Sequence, residues 1–349
     1  MTDLIPVFDG HNDALLRLYQ SKDADPVARF IDGLPGGHID LPRARKGGLA
    51  GGMFAIFPPP LETPGTRRAM NVADEVPPEL ARADALAPTL GMASILMRLE
   101  RASDGAFTVC RSAGAVCAAM EKGSLAAVFH IEGVEAVDMD LVLLDVLHAA
   151  GLRSLGPVWS RPNAFAHGVP FRFPATPEIG PGLTEAGKAL VKACNRLRIL
   201  VDLSHLNAEG FRDVAKISDA PLVATHSNVH ALCGHSRNLM DWQLAAIRDT
   251  GGLVGLNFAT GFLREDGRMG ADTGLDVMIR HLDALLEALG EGGVAFGSDF
   301  DGATVPAAIG DASGLPKLIE AMESAGYGRE LIEKIAWRNW VDVLERTIG

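Results

Sequence analysis

The sequence predicts one α/β unit over residues 1–349: a single (β/α)8 barrel of TIM type, with a helical insertion and long loops after its strands. Three observations carry that prediction. Short runs rich in Val, Ile, Leu and Phe recur along the chain, as parallel strands buried on both faces require. Segments of helical period separate most of them. No low-complexity tract or linker divides the chain, and 349 residues suits a barrel of roughly 250 residues that carries insertions. A doubly wound open sheet is the alternative that the same alternation allows.

Taken in order, the strand candidates are residues 4–8, 52–57, 125–131, 152–158, 199–203, 221–224, 253–258 and 294–296. Helical patterns cover 138–150, 183–197, 207–216, 241–249, 275–289 and 318–346, the last as more than one helix. Asn207 is a natural N-cap, because its short side chain can accept a free N–H of the first turn. Residues 58–104 begin with three prolines and then turn Ala/Leu-rich, which predicts a helical insertion after the second strand. Residues 159–181 are rich in Pro and Gly and predict a long loop after the fourth; loops of that length are usually functional or disordered.

Composition excludes several function classes. Hydrophobic content of 48% with 22% charged residues describes a soluble globular protein. The net charge of −12, from 44 acidic and 32 basic residues, argues against a nucleic-acid partner bound through a general basic face. No run approaches the ~18 apolar residues of a membrane span, so no membrane partner is expected. Cys110, Cys117, Cys194 and Cys233 form no C-x-x-C pair and read as reduced, buried residues. With no basic, apolar leader at residues 1–6, the expected location is cytoplasmic.

The polar residues fall where a barrel would use them. His11 and Asp13, in Asp9-Gly10-His11-Asn12-Asp13, follow the first strand. Residues two apart on a strand share a face, so an imidazole and a carboxylate converge there. Alone, the pair is more often a surface turn than a metal site. Others fall in register with it. His130-Ile131-Glu132-Gly133 ends the third strand, and Asp202-Leu203-Ser204-His205 the fifth. Ala224-Thr225-His226-Ser227 ends the sixth, and Gly297-Ser298-Asp299-Phe300-Asp301-Gly302 the eighth. In a barrel these ends open on one rim, where catalytic residues sit. Three imidazoles and three carboxylates exceed the needs of one cation. They match two divalent ions sharing a carboxylate, and mixed N/O donors suit zinc.

From Asp9-Gly10-His11-Asn12-Asp13 to Gly297-Ser298-Asp299-Phe300-Asp301-Gly302, the chain resembles the membrane (renal) dipeptidase family, M19-type metallopeptidases of the amidohydrolase superfamily. The resemblance implies two zinc ions per subunit. His11 and Asp13 would bind one, His205 and His226 the other, and Glu132 would bridge both. Asp299 would complete the first site beside the reacting water, and Arg237 would grip the substrate carboxylate. Such a pair of ions can hold a hydroxide that attacks a peptide carbonyl. Asp299 and Glu132 are then the catalytic carboxylates, with Asp299 passing the water's proton to the leaving amine. The implied substrate is a dipeptide, with a D-residue tolerated at its C-terminal position, and the family admits a homodimer.

The chain departs from the family at one point. Many members carry Thr-His-Ser or Thr-His-Asn after the fourth strand, and that histidine contacts the substrate carbonyl. Here Trp159, in Val158-Trp159-Ser160-Arg161, holds the position. Trp can donate one N–H but carries no charge. His130, which shares strand parity with Glu132, is one candidate replacement; His167 on the long loop is another, and Arg161 is a further candidate for substrate contact. Trp159 keeps two rivals open: hydrolysis of an N-acyl amino acid or lactone at the same centre, and a metal-binding protein without activity. Asp202, Asp301, Asn12 and Ser227 are expected to support neighbouring residues. His38, His148, His230, His235 and His281 are expected in structural roles.

Overall fold

The computed structural model describes residues 4–33, 35–61 and 77–349. It contains one sheet of parallel strands: β1 (Val7–Asn12), β2 (Leu49–Ile56), β3 (Phe107–Cys110), β4 (Leu125–Glu132), β5 (Leu152–Gly156), β6 (Leu200–Val201), β7 (Val223–Ala224), β8 (Leu253–Asn257) and β9 (Val294–Gly297). The hydrogen-bonded order is β6-β5-β4-β2-β1-β9-β8-β7. A parallel bridge from Asp202 to Val223 links the two ends, so eight strands form a nearly closed barrel. β3 is the ninth. It pairs along the first half of β4, on the edge that β5 occupies along the second half.

Each sequence-predicted strand has a counterpart, and the differences have physical reasons. β1 starts three residues later than the apolar run and continues through His11 and Asn12, because the barrel buries polar residues there. β6 and β7 are only two residues long; the chain leaves the sheet as the turns that carry His205 and His226 begin. β3 has no counterpart among the predicted strands: Phe107-Thr108-Val109-Cys110 is only four residues long and its middle pair, Thr108 and Val109, is partly exposed, so it forms no continuous apolar run. The short helices Ala14–Tyr19, Pro26–Asp32 and Leu41–Gly47, between β1 and β2, were also missed. Of the predicted insertion, Arg82–Ala102 is a helix, and residues 62–76 lie outside the described residues.

Local chemistry sets the helix ends. The Asn207 side chain accepts from Gly210 N at 2.9 Å and caps Ala208–Ile217. Thr184 caps Glu185–Leu197 through Gly187 N at 3.1 Å. The C-terminal segment is broken as expected, into Leu315–Ser324, Arg329–Glu333, a π-helical turn at Lys334–Arg338, and Asn339–Thr347. Trp340 on the last helix donates to Phe296 O at 2.8 Å and plugs the barrel wall. A Cβ on Gly10 would collide with this indole and with Thr225 O, so only glycine lets β1 pass there. No helix among the described residues is long and apolar enough to cross a membrane.

Candidate metal centre and active site

Five strand ends bring six side chains to the carboxyl-terminal rim: His11 and Asp13 from β1, Glu132 from β4, His205 after β6, His226 after β7 and Asp299 after β9. Glu132 Oε1 lies at the middle. His205 Nε2 is 2.9 Å from it, His226 Nε2 3.3 Å and His11 Nε2 3.7 Å. His11 Nε2 is also 3.6 Å from Asp13 Oδ2, and the Nε2 atoms of His205 and His226 are 3.1 Å apart. Tetrahedral ligands at about 2 Å from an ion lie roughly 3.3 Å from one another, so these spacings are those of a shared cation. Two triads bring their ligand atoms within 4.8 Å of one another: His11, Asp13 and Glu132, and Glu132, His205 and His226. A third such triad consists of His11, Asp202 and His226.

Asp299 joins this group on the Asp13 side. A Cβ on Gly302 would run into both the Asp13 and the Asp299 carboxylates, so the two face one point. Asn257, the last residue of β8, donates to Asp299 Oδ2 at 2.9 Å. His205 (φ 66°) and Asp299 (φ 59°) hold the left-handed backbone conformation, which is uncommon for such residues. Strain of that kind persists where surrounding structure enforces it, often at functional sites.

The donor set has room for a cation. Both ring nitrogens of His11 and Oδ1 of Asp13 are buried without a hydrogen-bond partner. Buried polar atoms are rarely left so, because an unmade bond costs about 1–3 kcal/mol. Asp13 also precedes the Ala14–Tyr19 helix without capping it; its carboxylate turns to the rim instead.

The layer behind fixes two imidazoles. Thr225 Oγ1 donates to Asp202 Oδ2 at 2.6 Å and so spends its only proton. His226 Nδ1, 2.8 Å from that hydroxyl, must then donate to it. His226 Nε2 is left as a bare lone pair toward Glu132. Asp202 also accepts from Thr225 N and Ser204 N, at 2.8 and 2.9 Å, so it orients its neighbours, the supporting role expected of it. Ser160 Oγ holds His205 Nδ1 at 2.7 Å. Such outer contacts commonly set ligand geometry.

The electrostatics show groups competing over charge. Burial draws the His11 imidazolium down, but the Glu132, Asp13 and Asp299 carboxylates outweigh it and push it up to about 10. Burial, with Asp13 and Asp299 nearby, drives the Glu132 carboxyl well above its ordinary range. Loss of water raises Asp299 as well. Burial, with the charges of Arg237 and His11, holds His205 and His226 far below the usual imidazole range. His205 and His226 are thus neutral, as metal ligands must be, and a cation among the crowded carboxylates would take the place of the proton that His11 otherwise holds.

Across the rim lies Arg237, 3% exposed. Its Nη2 donates to His226 O at 3.1 Å, its guanidinium sits 5.4 Å from the Phe262 ring centre, and its Nε has no partner. Trp159 is nearly buried, with its ring 6.0 Å from His205, 5.0 Å from Phe57 and 5.3 Å from Phe171.

The candidates raised to replace the family histidine lie elsewhere. His130 is fully buried: its Nδ1 pairs with Ser154 Oγ at 2.9 Å, its Nε2 points to Asp202 at 3.8 Å, and its ring meets His11 edge-on. Arg161 is 1% exposed and donates to Glu135 at 2.6 Å and to Pro58 O at 2.7 Å, so it braces Trp159 from behind. His167 forms a bridge with Pro162 on the long loop. His38 and Asp301 bind each other across the rim: Asp301 N donates to His38 Nδ1 at 2.8 Å, and His38 N donates back to the carboxylate at 2.6 Å. Arg17 Nε pairs with Asp301 at 3.1 Å. Asn12 donates to Met53 O at 3.2 Å. Ser227 Oγ is buried without a partner.

Several supports escaped the sequence reading. Asn257 carried a legible signal, since it ends a strand on the same rim. Asp9 shares strand parity with His11 and Asp13; it accepts from Ser298 N and Oγ at 2.6 and 2.8 Å and so ties β1 to the Asp299 loop. Ser160 carried none, because only folding brings it to His205.

A parallel barrel with imidazoles and carboxylates converging on its rim has the architecture of a metal-dependent hydrolase. The chain belongs to the membrane dipeptidase family, peptidase family M19, whose model matches residues 1–348. It is 51% identical to a metallopeptidase from Rhodobacter sphaeroides, solved with a phosphinate mimic of the dipeptide L-Ala-D-Ala. That match has a TM-score of 0.94 and covers 99% of this chain and 100% of the other. It is 52% identical to dipeptidase AC, a metallopeptidase of family M19, with a TM-score of 0.92 and the same coverage. An uncharacterized protein in the pqqA 5′ region of Klebsiella pneumoniae is 48% identical over 252 residues, 72% of this chain and 93% of the relative.

Proposed function

We propose that this enzyme is a zinc-dependent dipeptidase with a binuclear centre. One observation carries the reading: unpartnered ring nitrogens and carboxylate oxygens converge on Glu132, with a buried arginine beside them. His11, Asp13 and Asp299 would hold one zinc ion, His205 and His226 the other, and Glu132 would bridge the two. Bound there, such ions polarise a carbonyl oxygen and make water nucleophilic near neutral pH.

The chain's own residues supply the rest. Arg237, already buried, offers its guanidinium to the C-terminal carboxylate of a dipeptide, a charge-assisted contact that can be bidentate. That grip favours dipeptides over longer chains, because it places a free carboxylate one residue from the scissile bond. Asp299 is the one member of the cluster left partly exposed, so it can reach the substrate. Asn257 holds its Oδ2 and leaves Oδ1 to take the attacking water's proton and return it to the leaving amine. Trp159 lines the substrate side, and His130 acts from behind the ligands through Asp202. The relative solved with an L-Ala-D-Ala mimic supports L-Xaa-D-Xaa peptides as part of the substrate range.

The catalytic unit is taken as residues 1–349, and every proposed ligand comes from one chain, so a homodimer is compatible with the site but not required by it. The four cysteines are unpaired, which supports a reducing, cytoplasmic location. Hydrolysis of a panel of L-Xaa-L-Xaa and L-Xaa-D-Xaa dipeptides with zinc present tests the reading. Release of free amino acids supports it. Turnover of N-acyl amino acids or lactones with no dipeptide cleaved would overturn it.

A further inference from the structure

We propose that Phe171, stacked on Phe262, forms a wall for the side chain of the substrate's C-terminal residue, so that the enzyme prefers dipeptides ending in an aromatic or large apolar residue. The inference rests on the dipeptidase reading above. Both rings are half-buried at the rim beside the polar cluster, where an aromatic face left partly open offers contact area to an apolar group. They lie 6.0 Å apart and nearly parallel, at 4°.

The wall spans the two ends of the proposed site. Phe171 is 6.1 Å from His205, one of the proposed ligands. Phe262 lies 5.4 Å from the Arg237 guanidinium, the proposed carboxylate grip. In a dipeptide the C-terminal Cα stands between the scissile nitrogen and the terminal carboxylate. Its side chain is therefore the one that departs between those two anchors, where the rings stand. Trp159, 5.3 Å from Phe171, extends the apolar surface toward the N-terminal residue.

The wall is built in advance. Ser236, the neighbour of Arg237, clamps both flanks of Phe171: its Oγ donates to Pro170 O and accepts from Arg172 N at 3.2 Å, and its N donates to Arg172 O at 3.1 Å. Val169 N, two residues earlier, donates to His205 O at 2.8 Å. The long loop is thus tied to the strand end that carries His205 and to the turn that carries Arg237. A rigid apolar surface gains binding without ordering cost.

Steady-state kinetics of the zinc-loaded enzyme on L-Ala-L-Phe and L-Ala-Gly test this. The wild type should favour Ala-Phe by about tenfold or more in kcat/KM, chiefly through KM. Phe171→Ala should lower the Ala-Phe to Ala-Gly ratio about tenfold, and Phe171→Leu, which keeps apolar bulk and protects folding, should lower it less. A wild-type ratio near one, or a ratio that neither variant changes, would overturn the inference while leaving the dipeptidase reading standing. No turnover of either peptide by the wild type would sink that reading, and this inference with it.

Discussion

Two buried histidines, His11 on the rim and His281 in the helical layer, have the same exposure and opposite surroundings. His281 is 1% exposed, and both its ring nitrogens are engaged. Nε2 donates to Leu263 O at 2.9 Å, and Nδ1 accepts from Val229 N at 3.3 Å. His11 is also fully buried, and neither of its nitrogens has a partner. His281 follows the rule that folding satisfies the polar groups it buries. The rim breaks that rule at His11 and Asp13 together. The unpartnered atoms of the rim are therefore free to take an added cation, where those of His281 are not. The layer behind the rim agrees, since Ser160 and the Thr225–Asp202 pair hold Nδ1 of His205 and His226 and turn their Nε2 atoms toward Glu132.

The largest effect should come from the rim itself. Asp299→Asn keeps the size and the Asn257 neighbour but removes the proton acceptor. We expect kcat on a dipeptide to fall on the order of 10²–10⁴-fold with the circular dichroism spectrum unchanged. Activity within twofold of wild type would remove Asp299 from the chemistry.

A smaller effect should follow one layer back. Thr225→Val keeps the shape of the side chain but leaves His226 Nδ1 without its hydroxyl. Outer contacts of this kind are worth roughly 10–100-fold in metal affinity. Competition with a zinc chelator should show weaker binding of that size, while thermal stability in excess zinc stays close to wild type. An unchanged zinc affinity would mean that the Asp202–Thr225–His226 chain is packing alone.

The smallest effect belongs to the helical layer and concerns stability. Burial pushes His281 down to about 4, against an unfolded value near 6.5. A depressed histidine favours the folded state above pH 6.5, and that contribution is lost as the pH falls toward 4. Between pH 7 and pH 5 the loss amounts to about 2 kcal/mol. His281→Gln cannot titrate, so denaturant unfolding should show a shallower fall over that interval, with dipeptide turnover at neutral pH retained. The same fall in the variant would contradict the assignment.

The rim and its surroundings also differ in how legible they were. His11, Asp13, Glu132, His205, His226 and Asp299 each sit at or just past a strand end, so strand counting and parity were enough to gather them. The eight barrel strands were legible for the same reason, as apolar runs buried on both faces. β3 was not, because a strand outside the barrel is half-exposed and short. The aromatic wall was not either. Phe171 stands on a 159–181 loop without periodicity, and it reaches Phe262 only because Ser236 ties that loop to the turn before Arg237. Trp159 stood out in the sequence as a departure, but its partners Phe57 and Phe171 come from separate segments. Residues that act at strand ends are written in the local pattern; residues that act through loop docking are written only in the fold.

The proposed centre places two divalent ions at the orphaned atoms around Glu132. Elemental analysis by plasma mass spectrometry, on enzyme equilibrated with zinc and freed of excess metal, tests it most directly. About two zinc ions per chain are expected, falling to one or fewer in Glu132→Gln, which loses the shared carboxylate. One ion or none in the wild type, or two retained in Glu132→Gln, would contradict it.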